Sequence, residues 1–186
     1  MKKIAVLIFT LLFLVSCEAV KNDKFSSSSN NKKTYTTKYC KRNKKLWAKS
    51  FLGKQAPEFE VEGWIGKKPE FKDGKFILID FWATHCPQCR RAIPELNKIA
   101  EKYGDKITVI GISSEPEEVV KRMKNPKINY YSAYDRANVL KRRYQVRAIP
   151  HIVIIAPDNT VVWEGFPFLG SDRLDLNKVG KIINAK

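Results

Sequence analysis

The 186-residue sequence predicts an α/β fold, with a central mixed sheet flanked by helices. Two observations predict it. Short continuous apolar runs, "KFILIDFWA", "KITVIGISS" and "IPHIVIIAP", read as strands buried on both faces. Segments with apolar residues at helical spacing separate them, and strands that alternate with helices imply a sheet covered on both sides.

In chain order, "FLGKQAPEFEVEGWIGKKPEFKDG" carries Gly and Pro punctuation and two short extended pieces, and "KFILIDFWA" is the first buried strand. From Pro87, "PQCRRAIPELNKIAEKYG" sets Ile93, Leu96, Ile99 and Ala100 on one face. It accepts proline in the first turn and stops at Gly104, as a helix does. "KITVIGISS" is a second buried strand, "EPEEVVKRMKN" opens with acids and proline like a helix start, and "INYYSAYD" is a strand. "RANVLKRRYQV" reads as a helix, "IPHIVIIAP" and "TVVWEGF" pair around the turn "DN", and "DLNKVGKIIN" closes as a helix. No internal repeat is visible, and the stretch 46–186 has the size of one domain.

The N-terminus has the layout of a secretory signal: Lys2 and Lys3, the apolar run "IAVLIFTLLFLV", then small Ser16 before Cys17. The run is too short for a membrane-spanning helix, which needs about 20 residues. "LVSC" resembles the bacterial lipobox, which implies a signal peptide over 1–16 and a lipidated Cys17. The alternative is a plain signal peptide with an incidental cysteine. Residues 17–45, rich in Ser, Asn, Thr and Lys and poor in large aliphatics, read as a flexible basic tether. Without 1–16 the chain keeps 33 basic residues against 19 acidic, a net +14. That charge attracts nucleic acid or an anionic membrane surface. An exported chain meets lipid and cell wall first, so nucleic acid is set aside as a partner.

Cys86 and Cys89 lie between a strand and a helix, the context of a Cys-x-x-Cys redox motif. Unsatisfied N–H groups and the helix dipole favour an anion there, which lowers the pKa of the first cysteine. A structural disulfide would close only a tiny loop and add little stability. Two thiolates with His85 and His151, the chain's only histidines, form a plausible ligand set for zinc or copper, so a metal carrier stays open as the alternative. A catalytically idle binding module is the third class.

"ILIDFWATHCPQC" followed by "IP" resembles the thioredoxin superfamily. "GKQAPEF", "GKFILIDFWAT", "VIGISS" and "AIPHIVIIAPDNTVVWEG" resemble its membrane-tethered TlpA/ResA branch, with coverage from about Gly53 to Lys186. The resemblance implies a thioredoxin-like fold with the branch's extra strand and helix, matched to "KITVIGISSEPEEVVKRMKN". It also implies a thiol:disulfide oxidoreductase with Cys86 as nucleophile, Cys89 as resolving thiol and no cofactor beyond that pair. Asp80 falls on the buried carboxylate position that assists proton transfer with the second cysteine, although many TlpA/ResA-type members lack an aspartate there. An exposed carboxylate at a strand edge is the bland reading of Asp80. Pro94 matches the proline of the active-site helix, and Ile149, Pro150, Trp82 and Pro87 match substrate-binding positions. The loop "RAIPH" predicts a cis bond from Ile149 to Pro150, since X-Pro is the only common cis linkage.

Two departures concern tuning of the site. His85 replaces the usual tryptophan before the first cysteine, and His151 replaces a common threonine after the cis-proline. Both imidazoles are expected near the cysteines, where they tune the thiolate, against a bland reading as a surface substitution and an early strand residue. Gln88 leaves the Cys-Pro-Gln-Cys turn without the histidine of strongly oxidising relatives, which favours a reductant. The branch implies envelope protein thiols and disulfides as substrates, apocytochromes among them, and an upstream membrane electron donor. A monomer is expected. A peroxidase is disfavoured, because Thr84 stands two residues before Cys86 and not three. Cys40 is left over as an incidental thiol or one that pairs with a second chain.

Overall fold

The computed structural model describes residues 34–168 and 173–185. The signal segment and Cys17 lie outside the described residues. Within them run β1 (Gly63–Ile65), β2 (Phe76–Trp82), α1 (Pro87–Tyr103), β3 (Ile107–Ser113), α2 (Glu117–Arg122), β4 (Tyr131–Tyr134), α3 (Val139–Arg143), β5 (His151–Ile155), β6 (Val161–Gly165) and α4 (Leu176–Ile183). The sheet order is β1-β4-β3-β2-β5-β6. β2, β3 and β4 are parallel, and β1, β5 and β6 run antiparallel to their neighbours. This is the mixed, thioredoxin-like α/β fold expected. β3 is an interior strand between β2 and β4, and β4, which follows α2, lies outboard of it.

β2 and β3 are buried at every position, because side chains alternate between two covered faces. Leu78, Trp82, Val109, Ile152 and Ile154 face one core together with Cys89, Ile93, Leu96 and Ile99 of α1 and Val179 and Ile182 of α4. Ile77, Ile79, Phe81, Ile110, Ile112 and Val153 face the other, closed by Leu140, Tyr144, Ala56 and Phe59. The alternation therefore decides which face of the sheet each residue of the central strands can serve.

Two sequence expectations differ from the structure. The third helix is shorter than "RANVLKRRYQV" suggests. Asn138 is left-handed at its start (φ 55°) and Gln145 at its end (φ 50°), so only five residues wind as α-helix. The tether also does not stay free up to residue 45. Tyr35 packs edge-on to Phe76 at 5.3 Å, the Lys44 ammonium sits 4.5 Å from the Trp163 ring centroid, and Cys40 is buried. Tyrosines and a lysine stem supply apolar contact in place of the missing aliphatics.

Candidate active site

β2 ends at Trp82, and α1 begins at Pro87, so Cys86 falls at the helix N-cap with an extended backbone. Proline at the first helical position lacks an N–H that would be unsatisfied there anyway. Cys86 Sγ accepts the Cys89 backbone N–H at 3.2 Å, the bond a thiolate at a helix start would use. The two sulfurs are joined as a disulfide with the Cα atoms 5.3 Å apart. Their environments differ: Cys86 is partly exposed and Cys89 is 0% exposed, packed in the α1 core. Pro87 and Gln88, between them, are exposed. The sequence expectation of one reachable and one shielded sulfur is what the geometry contains.

Asp80 lies on the same face of β2 as Leu78 and Trp82, hence toward α1. It is fully buried, and neither carboxylate oxygen has a partner among the described residues. Burial alone pushes its pKa up to about 8, because an unpaired charge loses its hydration. A carboxyl that exchanges a proton near neutral pH beneath a thiol pair fits general acid–base work. Its register partner on β3 is Gly111. A side chain there would meet the Trp82 Nε1 and the Tyr130 ring, both 3.0 Å from an added Cβ. Glycine leaves the space that those two rings fill.

Trp82 accordingly departs from its expected substrate-binding position. It is 2% exposed and lies in the same core cluster as Cys89, so it supports the site from inside and offers no docking surface. The Ile149–Pro150 bond is cis, as the sequence led one to expect. Pro150 is buried and Ile149 half-buried beside β5. No backbone partner for the Ile149 N–H or C=O is found among the described residues.

The two histidines separate. His85 is exposed on the cysteine turn, whereas His151 is 0% exposed and pairs in register with Phe81, their rings 6.2 Å apart. Phe81 faces the core opposite α1, and strand alternation sends His151 with it. Burial, aided by the Lys44 charge, lowers its pKa to about 4 and keeps it neutral. The ligand set of two sulfurs and two imidazoles proposed for a zinc or copper carrier is therefore not assembled, and the carrier reading finds no support. Cys40, the leftover thiol, is buried, with its Sγ 3.2 Å from the Lys44 ammonium.

One residue escaped the sequence reading. By sequence Glu115 is only the acid of a helix start, yet it accepts the Thr84 N–H and hydroxyl at 2.7 Å each, the Ser113 hydroxyl at 3.0 Å, and approaches His85 Nδ1 at 3.2 Å. Burial works against its charge, but the bonds from Thr84, Ser113 and His85 outweigh it and hold the carboxyl below its ordinary value. The available signal was parallel pairing. Two in-register strands carry the residues just past their ends to each other.

A family model described as the AhpC/TSA family matches residues 52–164, from the Leu52 bridge into β6. The chain belongs to the AhpC/TSA family. Among the family's relatives it is similar to the thiol-disulfide oxidoreductase ResA of Bacillus thuringiensis, 28% identical over 169 residues that cover 88% of this chain and 89% of that protein. ResA of Bacillus cereus is 31% identical over 116 residues, 60% of this chain and 67% of that protein. The thioredoxin domain of a thiol-disulfide oxidoreductase from Bacteroides vulgatus superposes with a TM-score of 0.61 at 25% identity, covering 73% of this chain and all of that domain. With these relatives, the fold and the bonded Cys86–Cys89 pair, this member of the family is a thiol:disulfide oxidoreductase.

Proposed function

We propose that the protein works outside the cytoplasm, held to the membrane by lipid on Cys17, and reduces disulfides of selected envelope proteins. The single observation that carries the mechanism is the asymmetry of the pair at the α1 N-terminus. Cys86 is reachable and accepts a helix N–H, while Cys89 is sealed in the core. Cys86 attacks a substrate disulfide as thiolate, a mixed disulfide forms, and Cys89 resolves it. Asp80 holds and returns the Cys89 proton from the buried side. The cis-proline loop presents Ile149 backbone groups to the substrate chain, which pairs with them as a short strand. Pro87 and Gln88 line the exposed rim, and His85 tunes Cys86.

The reductant direction draws support from the Pro-Gln turn, which lacks a histidine between the cysteines. Electrons come from a membrane donor, and apocytochromes are among the proteins served. The protein acts as a monomer, without cofactor or nucleic acid. Turnover tests this reading. With excess dithiol as donor, the protein is expected to accelerate reduction of a protein disulfide above the dithiol alone. No acceleration would leave an idle binding module.

A further inference from the structure

β2 and β3 pair in register to their ends, with Trp82 opposite Ser113. Just beyond, Thr84 and His85 of the cysteine turn meet Glu115 of the loop before α2. Two bonds from Thr84 and one from Ser113 fix the carboxylate in a single orientation, its side chain only 16% exposed. The remaining contact is His85 Nδ1 at 3.2 Å. A carboxylate only accepts, so the ring nitrogen that faces it carries the proton. Nε2 is then the basic nitrogen of the neutral ring, and among the described residues no partner for it is found.

His85 directly precedes the partly exposed Cys86, and its side chain is 77% exposed. Asp80 lies on the opposite, sealed side. Among the described residues, Glu115 is the ionisable group that faces the His85 ring. On α1, Arg90 is turned to the Asn125 carbonyl and Arg91 to Gln88, and on α2 Glu117 pairs with Lys121.

We propose that His85 is the acid–base group for the exposed half of the exchange, and that Glu115 is the positioning residue that aims it. This rests on the exchange reading of Cys86 and Cys89. The Cys86 thiol gives its proton to His85 Nε2, and the thiolate attacks one sulfur of the substrate disulfide. The Cys86–S bond forms as the substrate S–S bond breaks. The departing sulfur leaves with the electron pair and takes the proton back from the imidazolium, which Glu115 stabilises. Cys89 passes its proton to the Asp80 carboxylate in the fraction that is ionised, attacks Cys86 and expels the second substrate sulfur, which takes a proton from solvent at the exposed face while Asp80 returns its own. The dithiol loses two electrons, and the substrate disulfide gains them as two thiols. Each sulfur of the pair thus has its own proton station, one wet and one dry.

The test reads the first attack alone, in reduced Cys89→Ser protein, against two disulfides of unlike leaving groups. A nitrobenzoate disulfide expels an acidic thiol that needs no proton, whereas glutathione disulfide expels a basic one that does. His85→Ala is expected to slow glutathione disulfide by about 100-fold, the lower range for a general acid or base, and the nitrobenzoate disulfide less, because that reaction loses only the help in forming the thiolate. Glu115→Gln should act in the same direction with a smaller effect, and should add nothing in the His85→Ala background. Added imidazole should restore part of the His85→Ala loss, which a purely structural role would not allow. Equal slowing of both disulfides, additive effects of the two variants, or no rescue by imidazole would overturn the proposal alone. If the parent reacts with neither disulfide, the exchange reading falls and the proposal with it.

Discussion

Cys89→Ser protein is expected to accumulate covalent complexes with its substrates, and Cys86→Ser protein almost none. The exposed sulfur at the helix N-cap still attacks when its partner is gone, but no internal thiol remains to release the product. The reverse variant keeps only a thiol that is 0% exposed in the core, and a sealed sulfur cannot reach a protein disulfide. A non-reducing gel of envelope extract reads the result, with reductant releasing the partners for mass spectrometry. Both backgrounds carry Cys40→Ala so that no other thiol contributes. Equal trapping by both variants, or none by either, would remove Cys86 as the nucleophile. Apocytochromes among the trapped proteins support a reductant, whereas a broad set of newly exported proteins points to an oxidant or isomerase.

The second large effect concerns stability. Asp80→Asn is expected to stabilise the disulfide form by about 4 kcal/mol at pH 7 while slowing mixed-disulfide release more than its formation. The carboxyl titrates near 8 when folded against a model value of 3.8, so between those limits the native state holds a proton that the unfolded chain has lost. Stability therefore falls as pH rises through that window, by about 1.4 kcal/mol per pH unit. His151 opposes it. Its folded pKa of about 4 lies below the model value of 6.5, so the unfolded chain binds the extra proton and stability rises with pH over that range. The two slopes cancel from about pH 4 to 6.5, which leaves wild type flat there and falling from 6.5 to 8. The asparagine variant should instead rise to about 6.5 and level off. Denaturant unfolding across pH reads both, and identical profiles would deny that Asp80 is buried and uncompensated. Equal effects on formation and release of the mixed disulfide would remove Asp80 from the proton path.

The central strands and α1 were legible because periodicity states them directly: runs buried on both faces, then Ile93, Leu96 and Ile99 on one helical face up to Gly104. The site was legible where it is local, as in Cys86, Pro87 and Cys89 around one helix start. It was less legible where tertiary pairing decides. Trp82 and His151 sit on either side of the sheet because of strand alternation, and a motif match says nothing of which way a ring turns. Glu115 reaches the cysteine turn through the β2–β3 register, a relation between residues about thirty positions apart that one sequence does not display. Residues 34–45 look like solvated tether by composition, yet Tyr35, Cys40 and Lys44 find an apolar surface on Phe76 and Trp163 that only the folded sheet presents.

The reduction potential of the Cys86–Cys89 couple, measured by equilibration of the purified protein in dithiol buffers, bears most directly on the claim that the protein donates electrons. A reductant requires a value near that of thioredoxin, about −270 mV. A value near −120 mV, that of a strong oxidant, would mean that the reduced pair is over-stabilised and that the protein inserts disulfides where the present account has it remove them.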